Sequence, residues 1–326
     1  MQGWLCETLT GADDLRWGPL PRTEPGPGQV RVKVAAASLN FPDLLTVKGQ
    51  YQFKPEMPFV PGSEFAGTVD ALGPEVQGLK AGDRVACLGS QGGFGTHALL
   101  EARTVVPIPE AMPWTDAAAF LFAYGTSWHS LMDRAELKSG ETVLVLGAAG
   151  GVGSAAVQIA KAADARVIAA ASTPEKCAFC RTLGADETID YSREDLRAAL
   201  KTLTGGRGPD VIYDPVGGAL AEPAFRSIGW RGRYLVVGFA GGAIPALPWN
   251  LTLLKGASIV GIFWGDFVRR EPEAFAADLK AMYSAYAGGR LKPAIDTVLP
   301  MSQVREAYAR MGSRQVMGKV VLVNEG

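Results

Sequence analysis

The sequence predicts an α/β protein of two domains, one a doubly wound parallel sheet and the other a β-rich, partly barrel-like unit. Three observations predict it. The apolar run Val143-Leu-Val-Leu146 ends in the glycine-dense turn Gly147-Ala-Ala-Gly-Gly-Val-Gly153, and the helix-compatible Ser154–Lys161 follows. Downstream, strand candidates alternate with stretches long enough for crossover helices, as parallel pairing requires. Upstream, short segments of alternating polarity are cut by proline and glycine turns.

In the first part, Val30-Arg-Val-Lys-Val34 alternates apolar and charged residues, the pattern of a strand with one wet face. Glu64–Asp70, Arg84–Cys87 and Thr96–Leu100 are further strands. Pro25-Gly-Pro-Gly28, Leu72-Gly-Pro74, Ala81-Gly-Asp83 and Gln91-Gly-Gly93 supply the turns between them. This unit extends to about residue 118. The texture then changes. Strands are expected at Thr142–Leu146, Arg166–Ala170, Glu187–Ile189, Val211–Asp214, Tyr234–Val237 and Ile259–Phe263. After Gly265 come a helix from Pro272 to Ala287, a strand at Ile295–Val298, a helix from Met301 to Met311 and a last strand, Lys319–Val323.

At 326 residues the chain can hold two cores. Its 32 basic and 33 acidic residues leave a formal charge of −1, which gives no electrostatic case for nucleic acid or an anionic membrane. No apolar run reaches the roughly 18 residues of a membrane span. The start, Met1-Gln-Gly-Trp-Leu-Cys6, lacks the pattern of a signal peptide. Four cysteines are too few for a disulfide scaffold of this size, so a cytoplasmic protein is expected.

Strand, glycine turn and helix in that order suit a pyrophosphate: the glycines admit the backbone, and the first helical N–H groups face the anion. Gly150, Gly151, Val152 and Gly153 are the candidate contacts, although Ala148 stands where a strict G-x-G-x-x-G motif has its first glycine. A site for NAD carries an acid at the end of the second strand, for the ribose 2′-hydroxyl. Here Arg166-Val-Ile-Ala-Ala-Ala-Ser172 ends without one and continues Thr-Pro-Glu-Lys176. A hydroxyl and an ammonium stand where a 2′-phosphate would sit, so NADPH is the expected cofactor. Ser172 and Glu175 also read as a capping box with Pro174 at the first helical position.

Cys177-Ala-Phe-Cys180 has redox spacing but falls within an expected helix. Gly205-Gly-Arg-Gly208 precedes a strand, whereas a phosphate loop follows one. Both read as structural, as do His97 and His129, the only histidines.

Taken together, Ala37-Ser-Leu-Asn40-Phe-Pro-Asp43, Pro61-Gly-Ser-Glu64-Phe-Ala-Gly67-Thr-Val69, Gly82-Asp-Arg-Val85, the glycine turn, Leu183-Gly-Ala-Asp186 and Gly318-Lys-Val-Val-Leu322 resemble the medium-chain dehydrogenases/reductases. The resemblance is to their zinc-independent, zeta-crystallin-like NADPH:quinone oxidoreductase branch. It implies a Rossmann-type cofactor domain, residues 119–264, and a discontinuous GroES-like catalytic domain, residues 1–118 and 265–326. Zinc-dependent members have cysteine where Asn40 stands and histidine where Ser63 stands. Amide and hydroxyl do not replace those ligands, so no metal is expected.

The resemblance further implies that Asn40 and Tyr51 line the substrate side of the nicotinamide, with Thr126 near the nicotinamide or its ribose. Ser172, Lys176 and Tyr191 match the 2′-phosphate set. Phe239 matches the residue passing over the cofactor, and Phe263 and Lys319 match positions near the nicotinamide. Without zinc's Lewis acidity, such a site suits an acceptor that is already electrophilic, a quinone or conjugated carbonyl. The alternatives are an enoyl thioester or enone reductase, and a non-catalytic NADPH-binding protein of crystallin-like or RNA-binding kind. Relatives pair through edge strands of the cofactor domain, so a homodimer through Ser258–Phe263 is expected.

Overall fold

The computed structural model describes residues 1–325. Strands β1 (Gln2–Leu5) and β2 (Arg16–Pro19) come first, followed by β3 (Gln29–Ser38) and helix α1 (Phe41–Thr46). Next are β4 (Glu64–Leu72), β5 (Arg84–Leu88), β6 (His97–Glu101) and β7 (Val105–Pro107). Helices α2 (Trp114–Ala118) and α3 (Leu121–Trp128) lead to β8 (Thr142–Leu146), α4 (Gly151–Ala162) and β9 (Arg166–Ala171). Then come α5 (Pro174–Thr182), β10 (Glu187–Asp190), α6 (Leu196–Leu203), β11 (Val211–Asp214), α7 (Ala221–Ser227) and β12 (Arg233–Val236). The remainder is α8 (Asn250–Lys255), β13 (Ser258–Gly261), α9 (Trp264–Arg270), α10 (Pro272–Ala287), β14 (Ile295–Pro300), α11 (Val304–Gly312) and β15 (Lys319–Val323).

The chain divides into two units: Met1–Phe122 with Ile295–Gly326, and Ala123–Ala294. In the first, β14, β15, β3, β4, β5 and β7 form a path, with β6 also paired to β3. The path does not close on itself, and β14 runs parallel to β15, so the unit is a mixed, open sheet beside a small β1–β2 ribbon. Its core gathers Val30, Val32, Val34, Phe65, Val85, Phe94, Val320 and Leu322. The wet face expected for β3 is only half present. Lys33 is exposed, but Arg31 is buried, its guanidinium held by Asp70 at 2.5 Å and the Thr23 carbonyl at 3.0 Å. Its partners explain the difference: Asp70 on β4 and the preceding segment, through Glu24 and the Thr23 carbonyl, cover the Arg31 side chain.

The second unit is a six-stranded, all-parallel sheet in the order β10-β9-β8-β11-β12-β13. Val143, Leu144, Val145 and Leu146 are all inaccessible, the continuous apolar run of a strand buried on both faces. The reversal of strand order between β8 and β11 is a switch point, where the loops at the strands' C-terminal ends form a crevice.

Residues 265–294 belong with the second unit, not the first as the expected boundary at 264/265 had it. Aromatic packing explains the difference. The indole of Trp264 lies so close to Gly125 that a Cβ there would come within 2.3 Å of it. His129 stacks on Phe267, ring centroids 4.1 Å apart, and the Lys292 carbonyl accepts hydrogen bonds from Tyr124 and Gln158 at 2.7 and 2.9 Å.

Candidate active site

In the second unit, Gly147 carries the tight turn, with a left-handed φ of 58°. This explains why Ala148 is tolerated: the residue needing positive φ lies one position earlier, and Ala148 is buried with its N–H on the Ala170 carbonyl. Gly150 caps α4 in extended conformation, and its carbonyl accepts from Ser154 N at 2.8 Å. The N–H groups of Gly151, Val152 and Gly153 thus open the helix without intrahelical acceptors. A Cβ on Gly153 would lie 2.3 Å from the Gly147 carbonyl oxygen, so only glycine lets the turn fold onto the helix start. Ser127 Oγ braces that start, donating to the Val152 carbonyl at 2.9 Å and meeting Tyr213 Oη at 2.9 Å.

Asp190 pairs with Ala171 in register, so Ser172 and Tyr191 are the first residues past two neighbouring strand ends. Lys176 reaches back one helical turn, its Nζ 3.4 Å from Ser172 Oγ. The helix cap is Thr173, which accepts from Lys176 N at 3.3 Å, and not Ser172 as the capping-box reading had it. That correction leaves the Ser172 hydroxyl outside the capping hydrogen bonds, beside the ammonium. Tyr191 is half-buried against the core, its N–H on the Ala171 carbonyl.

Thr126 is buried within α3, its carbonyl accepting from Ser130 Oγ at 2.6 Å. Phe239 follows β12 and lies against Gly217, where a Cβ would meet its ring at 2.8 Å. Phe263 precedes α9 and is half exposed. Sequence reasoning missed Asp214. Its carboxylate ends β11 and accepts from Val216 N and Gly217 N, both at 2.8 Å, and from the Tyr234 hydroxyl, fixing the loop beside Phe239. The signal was present in Asp214-Pro-Val-Gly217, an Asx-turn sequence.

The first unit holds a separate polar cluster. Ser38 ends β3 opposite Glu64, which opens β4, while Lys319 opens β15 on the other side of β3. Glu64 is fully buried. Its Oε2 accepts from Ser38 Oγ at 2.7 Å, Asn40 Nδ2 at 2.9 Å and Lys319 Nζ at 3.0 Å, and its Oε1 accepts from Phe122 N at 2.8 Å. Lys319 Nζ also donates to Asn40 Oδ1 at 2.5 Å. Asn40 caps α1, and its N–H is taken by Asp43 Oδ2 at 2.8 Å, while Ser63 N donates to Asp43 Oδ1 at 3.0 Å. The cluster thus joins two predicted site residues, Asn40 and Lys319, through a carboxylate that had been read only as part of a motif.

Burial pushes the Asp43 carboxyl up to about 6, against the opposing pull of its N–H donors and the Lys319 ammonium. The folded value lies above the ordinary unfolded one of about 3.9, so this group's stability contribution is present below about pH 4 and lost as pH rises through 6. The stability advantage of the wild type over Asp43→Asn should therefore shrink by about 2 kcal/mol between pH 4 and 7 in urea unfolding. A constant difference over that range would refute the assignment. Tyr51 lies in the loop after α1, half-buried, its ring 6.1 Å from that of Phe53. Burial, and then the Asp43 carboxylate, push its phenol up and keep it protonated.

His129 lies in its aromatic stack with Nδ1 2.9 Å from Asp133, and His97 Nδ1 meets Thr96 Oγ1 at 3.1 Å. Cys177 and Cys180 are buried free thiols pushed up by burial, Cys180 to about 12, which leaves little thiolate for redox chemistry. Among the described residues no group of three or more His, Cys, Asp or Glu side chains could hold a metal ion.

A glycine turn at a parallel-sheet switch point, joined in one chain to a GroES-like unit with a buried polar cluster, defines a nucleotide-dependent dehydrogenase or reductase. The comparisons agree. Residues 26–110 match the alcohol dehydrogenase GroES-like domain and residues 151–282 the zinc-binding dehydrogenase family. The chain is 39% identical over 297 residues to quinone oxidoreductase-like protein 2 of Bos taurus, covering 91% of this chain and 85% of that one. It is 33% identical over 306 residues to phthioceranic/hydroxyphthioceranic acid synthase of Mycobacterium tuberculosis, covering 92% of this chain but 14% of that protein. Among solved structures, the quinone oxidoreductase of Pseudomonas syringae superposes with a TM-score of 0.92 at 30% identity, covering 99% of both chains. That of Thermus thermophilus, also solved with NADPH, gives 0.85 at 30% identity, covering 99% of this chain and 100% of that one. The chain belongs to the medium-chain dehydrogenase/reductase family, in its quinone oxidoreductase-like branch.

Proposed function

We propose that this protein is an NADPH-dependent reductase of quinones or conjugated carbonyls, working without zinc. The observation that carries the cofactor choice is the acid-free end of β9, with the Ser172 hydroxyl and the Lys176 ammonium 3.4 Å apart there. When bound, NADPH supplies a hydride to an acceptor that is already electrophilic. Gly150, Gly151, Val152 and Gly153 hold the pyrophosphate, and Ser172, Lys176 and Tyr191 hold the 2′-phosphate. Thr126, Phe239 and Phe263 are assigned to the cofactor on family resemblance. Lys319, which the same resemblance puts near the nicotinamide, is bonded to Asn40 and Glu64 and is assigned to their cluster instead. Asn40 donates a hydrogen bond to the acceptor's oxygen, and Tyr51, kept protonated, supplies the proton that completes the reduction.

The match to part of a phthioceranic/hydroxyphthioceranic acid synthase favours a second reading, reduction of an enoyl thioester. NADPH oxidation, with NADH in parallel, against quinones, enones and enoyl thioesters separates the two. Quinone turnover with NADPH preferred is expected. Turnover confined to thioesters moves the assignment to enoyl reduction, and tight NADPH binding with no turnover on any acceptor points to a non-catalytic role.

The same reading makes the protein a cytoplasmic homodimer, its four cysteines being free thiols and its balanced charge offering nucleic acid no footing. β13 is the sheet's edge strand, and Ile259 on it is 41% exposed. Beside it, Trp230 is 71% exposed and lies over Gly256 at the end of α8, where Leu253 is 80% exposed. An apolar edge of this kind is protected by pairing with a second copy. Ile259→Lys is expected to give a monomer in sedimentation where the wild type is a dimer. A monomeric wild type would remove the interface.

A further inference from the structure

We propose that Lys319 and Glu64 are positioning residues that hold the Asn40 amide one way round, so that its second Nδ2–H is presented to the acceptor's oxygen. The proposal rests on the reading of Asn40 given above and adds the groups that make it effective.

The amide of Asn40 lies between opposite charges. Its oxygen takes a hydrogen bond from the Lys319 ammonium at 2.5 Å, and its nitrogen gives one to Glu64 Oε2 at 2.9 Å. Turned over, it would set N–H against ammonium and oxygen against carboxylate, two repulsive contacts in a buried site. Only one orientation is compatible with both neighbours. The geometry also uses one of the two Nδ2 hydrogens, and among the described residues no acceptor takes the other. The bonds from the ammonium to the amide oxygen and from the amide nitrogen to the carboxylate form one chain and strengthen each other, which stiffens the amide plane. The remaining N–H is therefore a fixed donor, held in one direction where that of an ordinary asparagine is free to turn. Developing charge on the acceptor's oxygen meets a donor already oriented, without the ammonium itself touching the acceptor.

Glu64 completes the device. It neutralises Lys319, and its other bonds, from Ser38 Oγ and Phe122 N, keep the carboxylate from turning toward the ammonium alone. Asn40 and Lys319 are 4–5% exposed and Glu64 is inaccessible, so little water competes for these bonds.

The test is a double-mutant cycle on the full-length protein with 1,4-naphthoquinone as acceptor. Asn40→Ala and Lys319→Met are each expected to lower kcat by about 100-fold, the scale of a lost oxyanion donor. Their effects should not add, because Lys319 acts through Asn40. The NADPH dissociation constant, read by fluorescence, should stay within about 2-fold for Lys319→Met, since a uniform binding contact is not what is lost. Should that variant fold poorly because Glu64 is left as an unpaired buried charge, Lys319→Met with Glu64→Gln restores neutrality and is expected to show the same loss.

A second readout needs no acceptor. The chain has three asparagines, Asn40, Asn250 and Asn324, so asparagine-selective ¹⁵N labelling isolates the Asn40 side-chain amide. Its two protons should be well separated in the wild type and move together in Lys319→Met. Additive losses in the cycle, a Lys319→Met defect confined to NADPH affinity, or an Asn40 amide signal indifferent to Lys319 would each overturn the positioning role. Full activity of Asn40→Ala would instead remove the reading of Asn40 itself, and the proposal with it.

Discussion

Gly153→Ala is expected to abolish tight NADPH binding and to destabilise the second unit. The new methyl would lie 2.3 Å from the Gly147 carbonyl oxygen and 2.8 Å from Ala148 Cα, and both are backbone atoms with no rotamer to give way. The turn must open, moving the N–H groups that begin α4. Forcing a methyl into such a place costs up to about 3 kcal/mol. Losing the aim of two charge-assisted hydrogen bonds costs about 1.5–3 kcal/mol each, or roughly 100-fold or more in affinity. Calorimetric titration with NADPH and a thermal melt measure the two effects. Near-normal affinity in the variant would mean that the pyrophosphate is held elsewhere.

Ser172→Ala with Lys176→Ala should lower kcat/KM for NADPH by about 10³-fold, the sum of two charge-assisted bonds to a near-dianionic phosphate. The value for NADH, which lacks that phosphate, should change by less than about 3-fold. The selectivity of the expectation matters more than its size, because a merely structural defect lowers both. Ser172→Asp goes further: a carboxylate at this strand end repels the phosphate and accepts from the ribose 2′-hydroxyl, turning preference toward NADH. Equal losses with both cofactors would refute the phosphate role of Ser172 and Lys176.

Much of the second unit is legible in the sequence, because its information is local. The glycine turn, the strand before it and the acid-free end of β9 each lie within a few residues, and periodicity reads them directly. The finer misreadings there are local too: Thr173 and Ser172 are both competent caps, and only backbone conformation chooses between them. The first unit's cluster is of another kind. Lys319 and Glu64 lie 255 residues apart, and no spacing rule joins them. Motif resemblance singled out Asn40 and Lys319 separately, but their common partner comes from strand register. The placement of residues 265–294 was hidden for the same reason, since it depends on Trp264 and Phe267 meeting Gly125 and His129 far upstream.

The position of β15 between β14 and β3 has a consequence for biosynthesis. A chain made from its N-terminus delivers β3 and β4 early and β15 only after every residue of the second unit. Until then the C-terminal half of β3 lacks one neighbour, and Glu64 waits without its counter-charge. The strand that completes the first unit's sheet also carries the ammonium that completes its polar cluster. β15 must therefore be synthesised before either can exist, and a nonsense codon ahead of Lys319 removes both at once.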